Sequence, residues 1–144
     1  MRAILLLMIP VVLIGAASAP SDVPTTAPSR TVWDGVYSKD QADRGKKTYD
    51  STCARCHGDG LMGNDDAPQL VDKIFLDKWY GKSVGSLVEL TRKTMPTDGP
   101  GKVTRKQCTD IAAYLLSANG FPAGPSELAP DPDILNGILI QEKK

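Results

Sequence analysis

The stretch Cys53-Ala54-Arg55-Cys56-His57 decides how the rest of this sequence is interpreted. On a helix its two thiols lie about one turn apart, and an imidazole follows directly after the second thiol. Two thiols at this spacing can add to the two vinyl groups on one side of a porphyrin, and the adjacent imidazole can then ligate the iron. C-x-x-C-H is the attachment signature of haem c. The motif therefore predicts one covalent haem c bound by Cys53, Cys56 and His57, with His57 as a ligand of the iron.

Two other interpretations of the motif start from the same thiols. A redox disulfide of the thioredoxin kind needs a C-x-x-C beside a β-α-β pattern, and no strand pattern flanks this motif. A zinc site would use Cys53, Cys56, His57 and Cys108 as a Cys3His set. Cys56 and His57 are sequence neighbours about 100° apart around a helix, so one small ion would have difficulty binding both. A haem takes them at its rim and at its centre, which favours haem over zinc.

The second axial ligand of the iron has to come from outside the motif. His57 is the single histidine of the sequence, so a methionine thioether is the leading candidate. Two of the four methionines belong to the N-terminal apolar segment, which leaves Met62 and Met95. Met62 follows His57 so closely that the intervening chain, at most about 18 Å long, would be nearly used up in going round the haem edge. Met95 is much further along and precedes Pro96, which favours an extended backbone there. We therefore predict Met95 as the second iron ligand.

Periodicity and capping signals predict an all-α fold of short helices joined by loops. Capping boxes open a first helix at Ser38-Lys39-Asp40-Gln41 and a last helix at Thr104-Arg105-Lys106-Gln107. Shorter helices are expected over residues 72–80 and 84–93, and no alternating strand pattern is evident. Only 6% of the residues are aromatic, so narrow apolar faces of this kind give a marginal core. A large, flat, apolar cofactor would complete that core.

Two further features of the sequence are its third cysteine and its charge balance. Cys108 shares an apolar stripe of the last helix with Ile111 and Leu115, which predicts a buried, inert thiol; pairing between two chains is the alternative. The sequence has 17 Lys+Arg and 17 Asp+Glu, so no basic excess points to nucleic acid.

The N-terminus has the pattern of a targeting segment. Residues 1–19 combine a positive charge, an apolar stretch and small residues, with cleavage expected after Ala17 or Ala19. The apolar stretch is short for a membrane span, so we expect no stable span after signal cleavage; an uncleaved anchor is the alternative. Export would make the protein periplasmic, in an oxidising compartment. Residues 20–31, rich in Pro, Ser and Thr, are predicted to form a flexible linker.

Residues 32–122 resemble a class I c-type cytochrome, a small fold of short helices and loops wrapped around one covalent haem. The resemblance rests on Arg44-Gly45, Tyr49, Cys53, Cys56-His57-Gly58, Pro68, Leu70, Phe75, Trp79, Thr94-Met95-Pro96, Asp110-Ile111 and Tyr114-Leu115. It implies that Gly45 and Tyr49 on the first helix meet Tyr114 on the last. It also implies that the Pro68 carbonyl accepts a hydrogen bond from the ligating histidine, which would fix the imidazole tautomer.

A narrower resemblance concerns the flanks of this region. Residues 32–37 and 119–124 are similar to segments of cytochromes found with, or fused to, quinoprotein dehydrogenases. This implies a periplasmic quinoprotein dehydrogenase as electron donor and an oxidase or another cytochrome as acceptor. The chain would be a free carrier or the cytochrome subunit of a dehydrogenase complex. Residues 123–144 are predicted to be a C-terminal extension that either packs on the domain or contacts a partner.

The function implied by the resemblance is one-electron transfer, and the chain itself is expected not to be an enzyme. A haem peroxidase is the alternative in the enzyme class. It would need a vacant iron position and a distal acid or base, whereas this sequence has no second histidine and offers Met95 for the vacant position. A non-redox zinc module is the alternative among binding proteins.

Overall fold

The computed structural model describes residues 30–143, and within that range the chain is mostly helical, as predicted. Its helices are α1 (Lys39–Thr52), α2 (Ala54–His57), α3 (Asp72–Trp79), α4 (Val84–Thr94), α5 (Arg105–Ala118) and α6 (Pro132–Asn136), and its strands are β1 (Arg30–Thr31) and β2 (Ile138–Leu139). The predicted signal peptide at 1–19 and most of the predicted linker at 20–31 lie outside the described residues. The last two linker residues form β1, which pairs in parallel with β2. Two-residue strands are too short to leave an alternating pattern in the sequence.

The two predicted capping boxes differ in how far they are completed. At α5, the Thr104 hydroxyl accepts from the Gln107 N–H at 3.3 Å, and Gln107 Oε1 accepts from the Thr104 N–H at 3.0 Å. At α1, the Ser38 hydroxyl accepts from the Gln41 N–H at 3.2 Å, but the Gln41 side chain does not return to Ser38. Gln41 is turned into the protein and is only 2% exposed. The reciprocal half of the box at Ser38 is therefore a wrong prediction, because a buried amide requires buried partners.

Helices α1 and α5 cross at a glycine. A Cβ atom on Gly45 would lie 1.8 Å from the Asp110 carbonyl oxygen, so only glycine permits this approach. One turn further along α1, the ring centroids of Tyr49 and Tyr114 lie 5.3 Å apart. The Tyr49–Tyr114 contact that the resemblance implied is therefore present, while Gly45 lies against Asp110 instead of Tyr114. The tyrosine contact fixes the C-terminal end of α1, where the C-x-x-C-H motif begins.

The C-terminal segment packs on the domain, which is one of the two possibilities that the sequence left open. Four of its apolar side chains are almost fully buried: Leu128, Leu135, Ile138 and Ile140. Gln41 fastens the segment to α1, since its amide donates to the Leu128 carbonyl at 2.9 Å and accepts from the Leu128 N–H at 2.7 Å. The same amide donates to Asp110 Oδ1 at 3.0 Å. The side chain that fails to complete the cap of α1 thus joins three parts of the fold.

Cys108 lies on the buried face of α5. Its side chain is 1% exposed, and its thiol lies 3.7 Å from the Val103 carbonyl oxygen. Burial raises the pKa of this thiol, which keeps it protonated and a poor nucleophile. The burial expected from the apolar stripe is confirmed.

Glu89 on α4 forms the ionic link to α5. Its carboxylate contacts Arg105 of α5, and on its own helix it contacts Arg92 at 3.0 Å and Lys93 at 3.6 Å. The hydrogen bond from Arg92, reinforced by Arg105, lowers the pKa of Glu89 from 4.5 to about 2. A carboxyl whose pKa is lower in the folded state stabilises the fold at pH values above its unfolded-state pKa. This contribution is lost as the pH falls through its folded-state pKa.

Replacing Glu89 with glutamine is expected to lower the free energy of unfolding by about 1 kcal/mol at neutral pH, a value reduced for solvent screening because the side chain is 30% exposed. The difference from wild type should shrink as the pH falls from 4.5 towards 2. Urea unfolding followed by circular dichroism at a series of pH values measures it. Glu142→Gln, at an exposed position, is the matched control. A difference that stays constant down to the lowest pH would contradict this assignment.

Candidate functional site

A large apolar cavity lies among α2, α3, α4 and α5. Its volume is about 210 Å³, which exceeds the roughly 150 Å³ of a cavity known to accept benzene. Its walls are mainly aliphatic and aromatic, and they include Leu70, Phe75, Trp79, Leu87, Ile111 and Leu115. The four residues singled out in the sequence, Cys53, Cys56, His57 and Met95, all line this cavity. The fold therefore brings together side chains that are up to 42 positions apart in the chain.

The C-x-x-C-H motif forms a single helical turn after a break in the helix. Cys53 ends α1, with its N–H donating to the Tyr49 carbonyl at 2.7 Å, and α2 then runs from Ala54 to His57. The His57 N–H donates to the Cys53 carbonyl at 3.0 Å, which closes the turn. Gly58 follows with a φ of +76°, a conformation that glycine adopts without strain, and this ends the helix. The two thiols and the imidazole are thereby held on one turn.

Cys53 does not have the character of a reactive redox thiol. Both Cys53 and Cys56 are free, and burial, with smaller contributions from Cys108 and Cys56, raises the pKa of Cys53 to about 11. A reactive thiol needs the opposite shift. Within residues 30–143, no three His, Cys, Asp or Glu side chains are arranged to hold a metal ion. The Cys3His set considered from the sequence is therefore not assembled.

His57 is held in one tautomer. Its side chain is 9% exposed, and Nδ1 lies 2.8 Å from the Pro68 carbonyl oxygen. A carbonyl can only accept, so Nδ1 carries the proton and Nε2 keeps its lone pair free. A neutral imidazole oriented by a carbonyl is the usual arrangement of a metal-ligating histidine. The hydrogen bond that the resemblance implied is present.

Met95 borders the cavity from the end of α4. Its N–H still donates to the Thr91 carbonyl at 2.9 Å, but its own backbone is extended, with φ −119° and ψ 148°. This is the conformation that the following Pro96 favours. The other candidate, Met62, is 60% exposed and is not among the residues that line the cavity. Of the two candidate methionines, the structure brings Met95 to the cavity with His57.

This donor set fits a haem of the c type. Two thiols on one turn suit two vinyl groups, an imidazole with a free Nε2 and a thioether suit an iron, and apolar walls suit a porphyrin face. The sequence alone does not reveal a second role of Tyr49, whose hydroxyl donates to the Gly58 carbonyl at 2.7 Å and so fastens the end of the motif. Nor does it reveal two apolar side chains that line the cavity and reach solvent, Ile74, 57% exposed, and Leu90, 41% exposed. An exposed apolar residue leaves no periodic signal from which to foresee such a position.

Comparisons with known proteins point to one family. A family model described as "Cytochrome C oxidase, cbb3-type, subunit III" matches residues 40–115, which is more than half of the chain. The chain is 44% identical over 85 residues to the Cbb3-type cytochrome c oxidase subunit FixP of Bradyrhizobium diazoefficiens, covering 55% of this chain and 28% of that subunit.

Two small cytochromes match over most of their own length. Cytochrome c-555 of Chlorobaculum thiosulfatiphilum is 34% identical over 83 residues, covering 52% of this chain and 93% of that protein. Cytochrome c-555 of Chlorobaculum tepidum is 34% identical over 83 residues, covering 52% of this chain and 74% of that protein. The chain thus spans less than a third of FixP but most of each small cytochrome. None of the helices within residues 30–143 is long and apolar enough to cross a membrane.

Proposed function

Because the chain belongs to the c-type cytochrome family whose model is described as cytochrome C oxidase, cbb3-type, subunit III, we propose that it is an exported electron carrier whose haem c iron is ligated by His57 and Met95. Membership of this family makes it a haem c electron carrier. The bound haem supplies the chemistry, since its iron accepts and releases one electron.

One observation carries the proposal for the ligands. The thiols of Cys53 and Cys56, the imidazole of His57 and the thioether of Met95 all border the same apolar cavity. In this arrangement the thiols anchor the cofactor, and Pro68 holds the imidazole so that Nε2 is available. The aliphatic and aromatic walls exclude water, so fewer solvent dipoles have to reorient when the charge of the iron changes.

The enzyme alternative needs an open iron position and a distal acid or base. The single histidine of the chain is already engaged by the Pro68 carbonyl, and Met95 lies at the same cavity. Both facts favour a carrier over a haem peroxidase.

The partner proposed is a periplasmic quinoprotein dehydrogenase as donor, with an oxidase or another cytochrome as acceptor. The two flanks that resemble dehydrogenase-associated cytochromes pack against each other. Trp33 and Phe121 have ring centroids 4.9 Å apart, and the Tyr37 hydroxyl donates to the Phe121 carbonyl at 2.6 Å. Because residues 32–37 and 119–124 pack against each other as one unit, they support the narrower resemblance. Export rests on the signal pattern of residues 1–19.

Stopped-flow reduction of the oxidised cytochrome by candidate dehydrogenases tests the partner. The even charge balance argues against strong steering, so fast reduction with a shallow salt dependence is expected. Ile74→Gln at the cavity edge should slow reduction about fivefold by removing apolar contact. Ile134→Gln, at a 47% exposed isoleucine on α6, is the matched control and should leave the rate unchanged. Reduction no faster than by an unrelated dehydrogenase would contradict the partner and leave the carrier function intact.

A further inference from the structure

The acceptor that orients His57 belongs to a loop without regular secondary structure. The loop runs from Gly58 to Val71, between α2 and α3, and Pro68 lies near its end. The strength of the bond from His57 Nδ1 to the Pro68 carbonyl, 2.8 Å long, therefore depends on how firmly this loop is held. A ligating imidazole becomes a stronger electron donor to its metal when its N–H donates a stronger hydrogen bond.

Most hydrogen bonds of the loop join it to itself and to His57. The Leu70 N–H donates to the Leu61 carbonyl at 2.8 Å, and the Asn64 N–H donates to the Ala67 carbonyl at 2.9 Å. The Gly63 N–H donates back to the His57 carbonyl at 2.9 Å. Of these three bonds, only the one from Gly63 to His57 joins the loop to a helix, α2, and none joins its Leu70 end to α5.

Among the described residues, two side chains beyond His57 donate to carbonyls of the loop from outside it. The Tyr49 hydroxyl donates to Gly58 at the start of the loop. Asn119 Nδ2 donates to the Leu70 carbonyl at 3.0 Å, near its end. The same Nδ2 donates to the Leu115 carbonyl at 2.8 Å, so the amide joins the last turn of α5 to a residue two positions after Pro68.

The orientation of the Asn119 amide is unambiguous. Both of its partners are carbonyl oxygens, which only accept, so a flipped amide would place Oδ1 against two acceptors. Oδ1 is buried and has no hydrogen-bond partner within the described residues. A buried acceptor without a partner costs stability, so the benefit of an amide here lies on its donor side. In the sequence, Asn119-Gly120 is a helix-stop signal, and by itself it predicts nothing more at this position.

We propose that Asn119 is a positioning residue that sets the strength of the His57–Pro68 hydrogen bond, and through it the reduction potential. The inference rests on the proposed ligation of the iron by His57. Without the Asn119 donor, the Leu70 end of the loop loses its side-chain hydrogen bond to the end of α5, and we expect the Pro68 carbonyl to accept less strongly. The imidazole then donates less electron density, which stabilises ferric iron less and raises the potential.

The test compares Asn119→Leu, which is uncharged and similar in size, with wild-type holoprotein. Exchange of the His57 Nδ1 proton in the ferrous protein, followed by NMR, should be about tenfold faster, as expected for the loss of one hydrogen bond. The midpoint potential should rise. Asn119→Gln, which keeps the amide on a longer stem, should fall between wild type and the leucine variant. Asn136→Leu is the matched control, since Asn136 ends α6 and accepts from Ser83 of the α4 cap, and it should leave both quantities unchanged.

Unchanged exchange and potential in Asn119→Leu, even with a lower melting temperature, would overturn the proposal and leave Asn119 a structural residue. If the leucine variant does not fold, Asn119→Gln alone decides: a smaller shift of both quantities in the same direction supports the role, and no shift overturns it. A wild-type spectrum without histidine–methionine ligation would instead contradict the proposed function. The exchange rates would still report on the hydrogen bond itself.

Discussion

Replacing both Cys53 and Cys56 with alanine is expected to release the haem from the polypeptide on denaturation, whereas wild type retains all of it. In wild type each thiol is expected to add across one vinyl group, so two carbon–sulfur bonds should survive unfolding. The double variant can hold the cofactor only through the iron ligands and the apolar walls, which are lost when the chain unfolds. Acid–solvent extraction, with the absorbance of the protein phase and its mass, measures the attachment. We expect essentially complete extraction from the variant.

Cys108→Ala is the control for this experiment. Its side chain is only 1% exposed, and it lies on α5 and is not among the residues that line the cavity, so its removal should leave the haem attached. Haem that extracts freely from wild type would show that the motif does not form thioether bonds. Haem that stays with the double variant would show that other residues make the attachment.

The parts of this molecule that the sequence predicts well are those determined by neighbouring residues. The spacing of the C-x-x-C-H motif needs only one helical turn, and the box at Thr104 needs only four residues. The extended backbone of Met95 follows from the single residue after it. In each case the interaction that determines the structure lies within a few positions, so the sequence pattern contains it.

The parts that were missed depend on contacts between distant segments. Gln41 matches a local capping pattern, but its buried amide reaches Leu128, 87 positions away. The capping rule cannot anticipate this, because the burial of the side chain is decided by the C-terminal segment. Asn119 shows the same limit: its helix-stop signal is local, while its bond to Leu70 crosses 49 positions.

The resemblance to class I cytochromes predicted some contacts that local sequence patterns could not predict. The contact of Tyr49 with Tyr114 and the bond from His57 to Pro68 join residues that no periodicity in this sequence pairs. They were expected because a family retains its helix crossing and its ligand support. The C-terminal segment lies outside that resemblance, and for that reason its packing became known only from the structure.

Met95→Ala is expected to change the haem more than any other single substitution outside the C-x-x-C-H motif. A thioether ligand favours ferrous iron, so its loss should lower the midpoint potential by on the order of 0.1–0.2 V. The weak far-red absorption band of the oxidised protein, which arises from thioether ligation, should disappear. The iron should also bind added imidazole or cyanide, which wild type resists. Potentiometry and visible spectroscopy measure all three effects.

Met62→Ala is the matched control for the Met95 variant, because it removes the same side chain from a position that is 60% exposed and outside the cavity. It should keep the far-red band and the wild-type potential, since its thioether has no access to the cavity that His57 borders. If Met62→Ala opens the iron while Met95→Ala does not, the loop after His57 must reach round the haem edge, and the assignment of Met95 is wrong. If neither variant changes the spectrum, the second ligand is not a methionine of the described region. The position of Met95 at the end of α4, extended and directed by Pro96 to the cavity wall, favours the first result.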